Sequence, residues 1–110
     1  MNVPIEEAHL ILSGWREKHT TLHIRHQGNA ARVEGEGVVL QLSPTVIEVG
    51  GDGWSMFFPF GGGEFTFSDP REIPNEKIRR IESSRFDFGG SIRLPSGETL
   101  TLLARKEDED

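Results

Sequence analysis

The chain contains no cysteine, which excludes disulfides, thiol redox chemistry and thiolate metal sites and is compatible with a cytoplasmic setting. No apolar run approaches the ~20 residues that a membrane helix requires. The N-terminus, Met1-Asn2-Val3-Pro4, has neither a basic region nor a long apolar stretch, so a signal peptide and membrane association are not expected. Chemical motifs are missing as well. Serine, histidine and aspartate occur outside any nucleophile motif, and Gly61-Gly62-Gly63 lacks the Lys-Ser/Thr of a phosphate-binding loop and opens no helix. The expectation is a protein with no catalytic residue, no metal and no cofactor.

Lysine and arginine are absent between Val33 and Pro70, a stretch that carries Glu34, Glu36, Glu48, Asp52, Glu64 and Asp69. The following stretch reverses the sign, with Arg71, Lys77, Arg79, Arg80, Arg85 and Arg93 against Glu72, Glu76, Glu82 and Asp87. Such segregation arises from strands that pair within one domain or from complementary surfaces that meet between molecules. The net charge of −6 owes much to the run Glu107-Asp108-Glu109-Asp110, and residues 105–110 are expected to form a disordered acidic tail. Residues 1–104 then make one domain, the common size for a single core.

What is present is one helical pattern followed by many short alternating ones. Pro4 suits a first helical position, Glu6 and Glu7 suit the positive helix end, and Lys18 and His19 suit the negative end. Ile5, Ala8, Leu12 and Trp15, with Ile11 beside them, form one apolar stripe over a helix from Pro4 to about Lys18. From Thr20 the period becomes two, with Leu22 and Ile24 on one face and His23 and Arg25 on the other, up to a break at Gln27-Gly28-Asn29. Between Ala31 and Leu42, Glu34 and Glu36 share the face of Val38, Leu40 and Leu42; the phase requires a bend or bulge, expected at Gly35 and Gly37. Thr45 to Val49, Trp54 to Phe60 and Glu64 to Ser68 read as further strands, with a hairpin loop at Gly50-Gly51-Asp52-Gly53. Ile73 to Glu82 reads as a short turn or 3₁₀ piece leading into a strand, and Arg85 to Leu94 with Glu98 to Ala104 as a closing hairpin turned by Pro95-Ser96-Gly97. The fold class is mainly β: an N-terminal α-helix packed on a strongly bent antiparallel small barrel of about six or seven strands.

The order of a helix, Thr21-Leu22-His23-Ile24-Arg25, Gly37 to Val49, and Ile73-Pro74 followed by Ile78-Arg79-Arg80-Ile81-Glu82 resembles the divergent bacterial Sm-like small β-barrel proteins. That resemblance implies an SH3-like bent five-stranded sheet closed by an Ile-Pro…Ile…Ile strand, assembly into a homo-oligomeric ring, and binding of RNA. Gly28-Asn29 does not lie where the family has its RNA-binding asparagine loop, and no glycine follows Arg79-Arg80. Ile73 to Ile81 with Ser91 to Leu100 is also similar to bacterial pleckstrin-homology-like (PH-like) domains, which place their helix at the other end. Gly37 to Ser43 is similar to the PilZ domains that bind cyclic di-GMP, without their paired upstream arginines.

His19, His23 and His26 have the composition of a metal site, yet on a strand His26 points away from the other two, and no carboxylate stands nearby in sequence. Phe65/Phe67 and Phe86/Phe88, spaced by two, suit a barrel interior. Trp54-Ser55-Met56-Phe57-Phe58-Pro59-Phe60 carries apolar side chains on both faces, more than a half-exposed strand should, which makes Trp54, Met56, Phe58 and Phe60 the interface candidates. The expected function is a non-enzymatic interaction module that self-associates or binds a protein partner. The alternatives are nucleic-acid binding through Arg25, Arg32, Arg79 and Arg80, which must then share a face, and a small-ligand, cyclic-nucleotide-type sensor with two convergent arginines.

Overall fold

The computed structural model describes residues 2–28 and 32–105. Asn29 of the expected first turn and residues 106–110 of the expected tail lie outside these residues, and Arg105, expected to open the tail, ends β8. Eight strands and two helices follow in the order β1 (Asn2–Val3), α1 (Ile5–Glu17), β2 (Leu22–Gln27), β3 (Arg32–Leu42), β4 (Val46–Gly51), β5 (Trp54–Pro59), β6 (Glu64–Ser68), α2 (Glu76–Arg85), β7 (Phe86–Arg93) and β8 (Thr99–Arg105), with a 3₁₀ turn at Pro70–Glu72. The strands form one antiparallel sheet in the order β1-β6-β7-β8-β2-β3-β4-β5, so the count is eight rather than six or seven. β1 and β5 are its two edges, and no ladder joins them among the described residues.

Apolar contacts nonetheless show that the sheet coils upon itself. β2 and β5 stand three strand spacings apart, ~14 Å if the sheet were flat, yet the rings of His26 and Phe58 lie 4.9 Å apart. Phe60 at the end of β5 meets Phe65 of β6 edge-on at 5.5 Å, although those strands lie near opposite edges. A single cluster of buried side chains therefore draws on both halves of the sheet, including Leu22, Ile24, Val39, Ile47, Phe60, Ile92, Leu100 and Leu102. Ala8, Leu12 and Trp15 of α1 are buried in it, as the stripe predicts, while Ile5 at the start of the helix is 40% exposed. His19 then ends the helical run in the left-handed region at φ 50, and the Thr20 N–H donates to the Trp15 carbonyl at 3.0 Å.

β3 is the strand that serves both halves. Residues 32–37 pair with β2, and residues 38–42 pair with β4. The expected phase change exists, but the register shifts between Val39 and Gln41 rather than at the glycines. Val39 is accordingly buried, and Leu40 is 39% exposed. The glycines serve close packing instead. An added Cβ at Gly37 would stand 2.2 Å from the Gly50 carbonyl oxygen, and one at Gly35 would stand 3.2 Å from the Trp54 ring. Without side chains, these positions let backbone and indole approach where the sheet turns.

Two further expectations change. Ile78 to Glu82 belongs to α2, not to a strand, because the Asn75 side chain caps the helix by accepting from the Ile78 N–H at 3.1 Å and Glu76 pairs with Arg80 one turn on at 2.8 Å. Phe86 and Phe88 do not share a face, because the β7–β8 register shifts between them. Phe88 stacks on Phe67 at 5.8 Å and meets Trp15 edge-on. Phe86 turns to the opposite face against the His23 ring at 5.8 Å, beneath the Arg85 guanidinium.

Candidate interaction site

β5 is built from an alternation that the structure resolves into two faces. Trp54, Met56 and Phe58 point inward, with Phe60 just beyond the strand: Phe58 and Phe60 are buried at 6% and 1% exposure, and Trp54 and Met56 pack half-buried against the core. The four interface candidates therefore form the inward side of the strand, where burial of an aromatic face outweighs any contact it could make outside. Ser55, Phe57 and Pro59 form the outward side, and Phe57 is 64% exposed.

The phase of the backbone adds to this. The Phe60 N–H donates to the Thr45 carbonyl at 2.8 Å, and with the register Val46↔Pro59, Ile47↔Phe58, Glu48↔Phe57 that bond makes the even residues of β5 the hydrogen-bonded partners of β4. The backbone groups of Ser55, Phe57 and Pro59 consequently face away from β4, along the free edge. Pro59 has no N–H to offer there, which is the position a sheet edge tolerates. The free edge thus presents the N–H groups of Ser55 and Phe57 and the carbonyls of Ser55, Phe57 and Pro59. Beside it, Gln41, Glu48 and Phe57 lie in line across the outer face, lining a groove of about 410 Å³ with Leu42, Ser43 and Val46.

A second cleft, of about 390 Å³, opens at the end of β5, where Phe57, Phe58, Pro59 and Gly61 face Leu94, Pro95, Ser96, Glu98 and His26. His26 follows Leu22 and Ile24 onto the inner face of β2, its ring against Phe58 and its Nε2 3.2 Å from Glu98 Oε2. The alternation along β2 foretells the inward turn of His26 but not its partner, because 72 positions separate the two residues. His19 stays exposed at the end of α1, and His23 faces the outer side.

The nucleic-acid candidates fall into two groups. Arg32 is paired with Glu34, and Arg25 Nε lies 3.6 Å from the same carboxylate. Arg79 donates to the Ile73 carbonyl at 3.2 Å, and Arg80 pairs with Glu76. Among the described residues no ion pair or hydrogen bond joins the group on β2 and β3 to the group on α2, and Glu36 is likewise occupied by Arg105. The acids of the base-free stretch divide accordingly. Glu34 and Glu36 are matched from β2, β3 and β8, and Asp69 by Arg71, whereas Glu48, Asp52 and Glu64 make no ion pair among the described residues.

The His23 imidazole is held away from its ordinary protonation. Burial against Phe86, and then the nearby Arg25 charge, lower its pKa below 6.5, with Glu34 opposing. The unfolded chain takes up this proton near 6.5 while the folded chain resists until lower pH, so His23 weakens folding as pH falls below about 6.5 and its effect levels off beneath the folded value. Urea midpoints at pH 7.5 and 5.5 are expected to lie closer together in His23→Gln than in the parent chain. An unchanged difference would remove His23 from the acid sensitivity.

Among the described residues no group of three or more histidines, aspartates and glutamates stands where it could hold a metal ion, and no helix is long and apolar enough to cross a membrane. No protein-family profile, curated protein or solved structure matches the chain.

Proposed function

We propose that the chain is a non-enzymatic protein-interaction module whose free β5 edge accepts an extended segment of a partner as an additional strand. The observation that carries this reading is the coincidence at Phe57 of a 64% exposed aromatic side chain with backbone donor and acceptor groups directed along the free edge. Main-chain bonds to Ser55 and Phe57 supply affinity, and cover for Phe57 supplies selectivity. Charge favours a foreign, basic segment over a second copy, since Glu48 and Asp52 near this edge are without ion-pair partners among the described residues and two such edges would bring like charges together.

The coiled sheet with its N-terminal helix supports a small barrel of the Sm-like or SH3-like kind, whereas the helical α2 in place of a final strand speaks against a strict Sm-like pattern. Nucleic-acid binding has less support, because Arg25, Arg32 and Arg80 already stand beside carboxylates.

Selection of nine-residue peptides displayed on phage tests the reading. Enriched sequences are expected to alternate apolar and polar residues and to carry lysine or arginine. Ser55→Pro, which removes an edge donor that β4 does not use, is expected to reduce their affinity at least tenfold. Sedimentation of the parent chain as a dimer that Ser55→Pro dissociates would hand the edge to a second copy, and a monomer from which no peptide is selected would end the reading.

A further inference from the structure

Resting on the strand-docking reading, we infer that the cleft at the end of β5 is a binding site for a cationic side chain, lysine or arginine, carried by the docked segment. The cleft borders the docking edge. Phe57 and Pro59 line it and also supply the free carbonyls of that edge, so a strand added one spacing away, ~4.8 Å, passes its mouth.

Its lining divides by chemistry. Phe57, Phe58, Pro59, Leu94 and Pro95 are apolar and suit the methylene stem of a long side chain. The polar side chains are His26, Glu98 and Ser96. Glu98 is the only carboxylate among them, with His26 its one hydrogen-bonding partner among the described residues. A carboxylate accepts about four hydrogen bonds, and His26 occupies one, which leaves oxygen lone pairs for an ammonium or a guanidinium. Neither Arg25, beside His26 in the chain, nor Arg93, beside Leu94, lines the cleft. An anionic ligand would meet Glu98 with no lysine or arginine in the lining to attract it. His26 holds the carboxylate in place, with its own ring fixed by Phe58.

The probe is butylguanidinium, an arginine side-chain mimic, titrated into the full chain and followed by two-dimensional NMR, with pentanoate as the anionic control. Saturable shifts confined to residues 26, 57–61 and 94–98 are expected with butylguanidinium and absent with pentanoate. Glu98→Gln keeps the shape of the side chain and is expected to weaken binding at least tenfold, while Glu17→Gln, exposed at the end of α1 and outside the cleft lining, leaves it unchanged. Equal binding by the parent and Glu98→Gln, or no shift at these residues, overturns the inference. Ser55→Pro separates the two readings: it is expected to weaken strand docking at least tenfold and to retain butylguanidinium binding, so loss of either can be assigned to its own site.

Discussion

Phe60→Ala is expected to lower the stability of the fold by about 3–5 kcal/mol, the range for removing a buried phenylalanine, and to depress the melting temperature by roughly 15 °C or more in a domain of this size. Phe60 is 1% exposed, meets Phe65 edge-on at 5.5 Å, and sits where the strand after the coil of the sheet returns to β6. The void left by its ring would be lined by side chains from both halves of the sheet, so neither half could close it alone. Phe57→Ala, three residues earlier, is expected to change stability by less than about 0.5 kcal/mol, as surface substitutions do, while weakening any strand docked on β5. Thermal unfolding of the two variants side by side checks the assignment of faces. Equal losses would mean that β5 is not oriented as described.

Gly37→Ala is expected to destabilise by about 3 kcal/mol, the upper end of ordinary overpacking. The added carbon would stand 2.2 Å from the Gly50 carbonyl oxygen and 2.6 Å from its carbon. Both are backbone atoms, so no rotamer change relieves the contact. β3 would have to part from β4 at Val38↔Gly50, immediately after its last pair with β2 at Leu22↔Gly37, and the coil would open there. Gly14→Ala is expected to act with the opposite sign. Nothing lies within 4 Å of its added Cβ, and replacing a helical glycine by alanine gains roughly 0.5–1 kcal/mol. Urea denaturation of both variants decides the matter; a Gly37→Ala chain as stable as its parent would show that the strands are not in such close approach.

Local rules made α1 and most strands legible. The spacing of Ala8, Leu12 and Trp15, the alternation of Leu22 and Ile24, and the turn residues around Asp52 and Gly97 each act within a few positions, and the structure follows them. The same rules misplaced α2, where Ile78 to Glu82 reads as a strand carrying Ile78 and Ile81. Both are 49% exposed, and the Asn75 cap with the Glu76–Arg80 pair decides for a helix.

The site was legible only in outline. Apolar residues on both faces of Trp54 to Phe60 marked an unusual strand, but period two alone does not say which face meets the core. That choice was made by the coil of the sheet, which brings Phe58 to His26 and Phe60 to Phe65 and leaves Phe57 outside. The sequence by itself determined the helix, the strand rhythm, the absence of thiol chemistry and the base-free acidic stretch, since these depend on composition and near-neighbour spacing. The tertiary structure alone decided the edge position of β5, the pairing of His26 with Glu98 and the pairing of Glu36 with Arg105, because each depends on contacts between residues far apart in the chain.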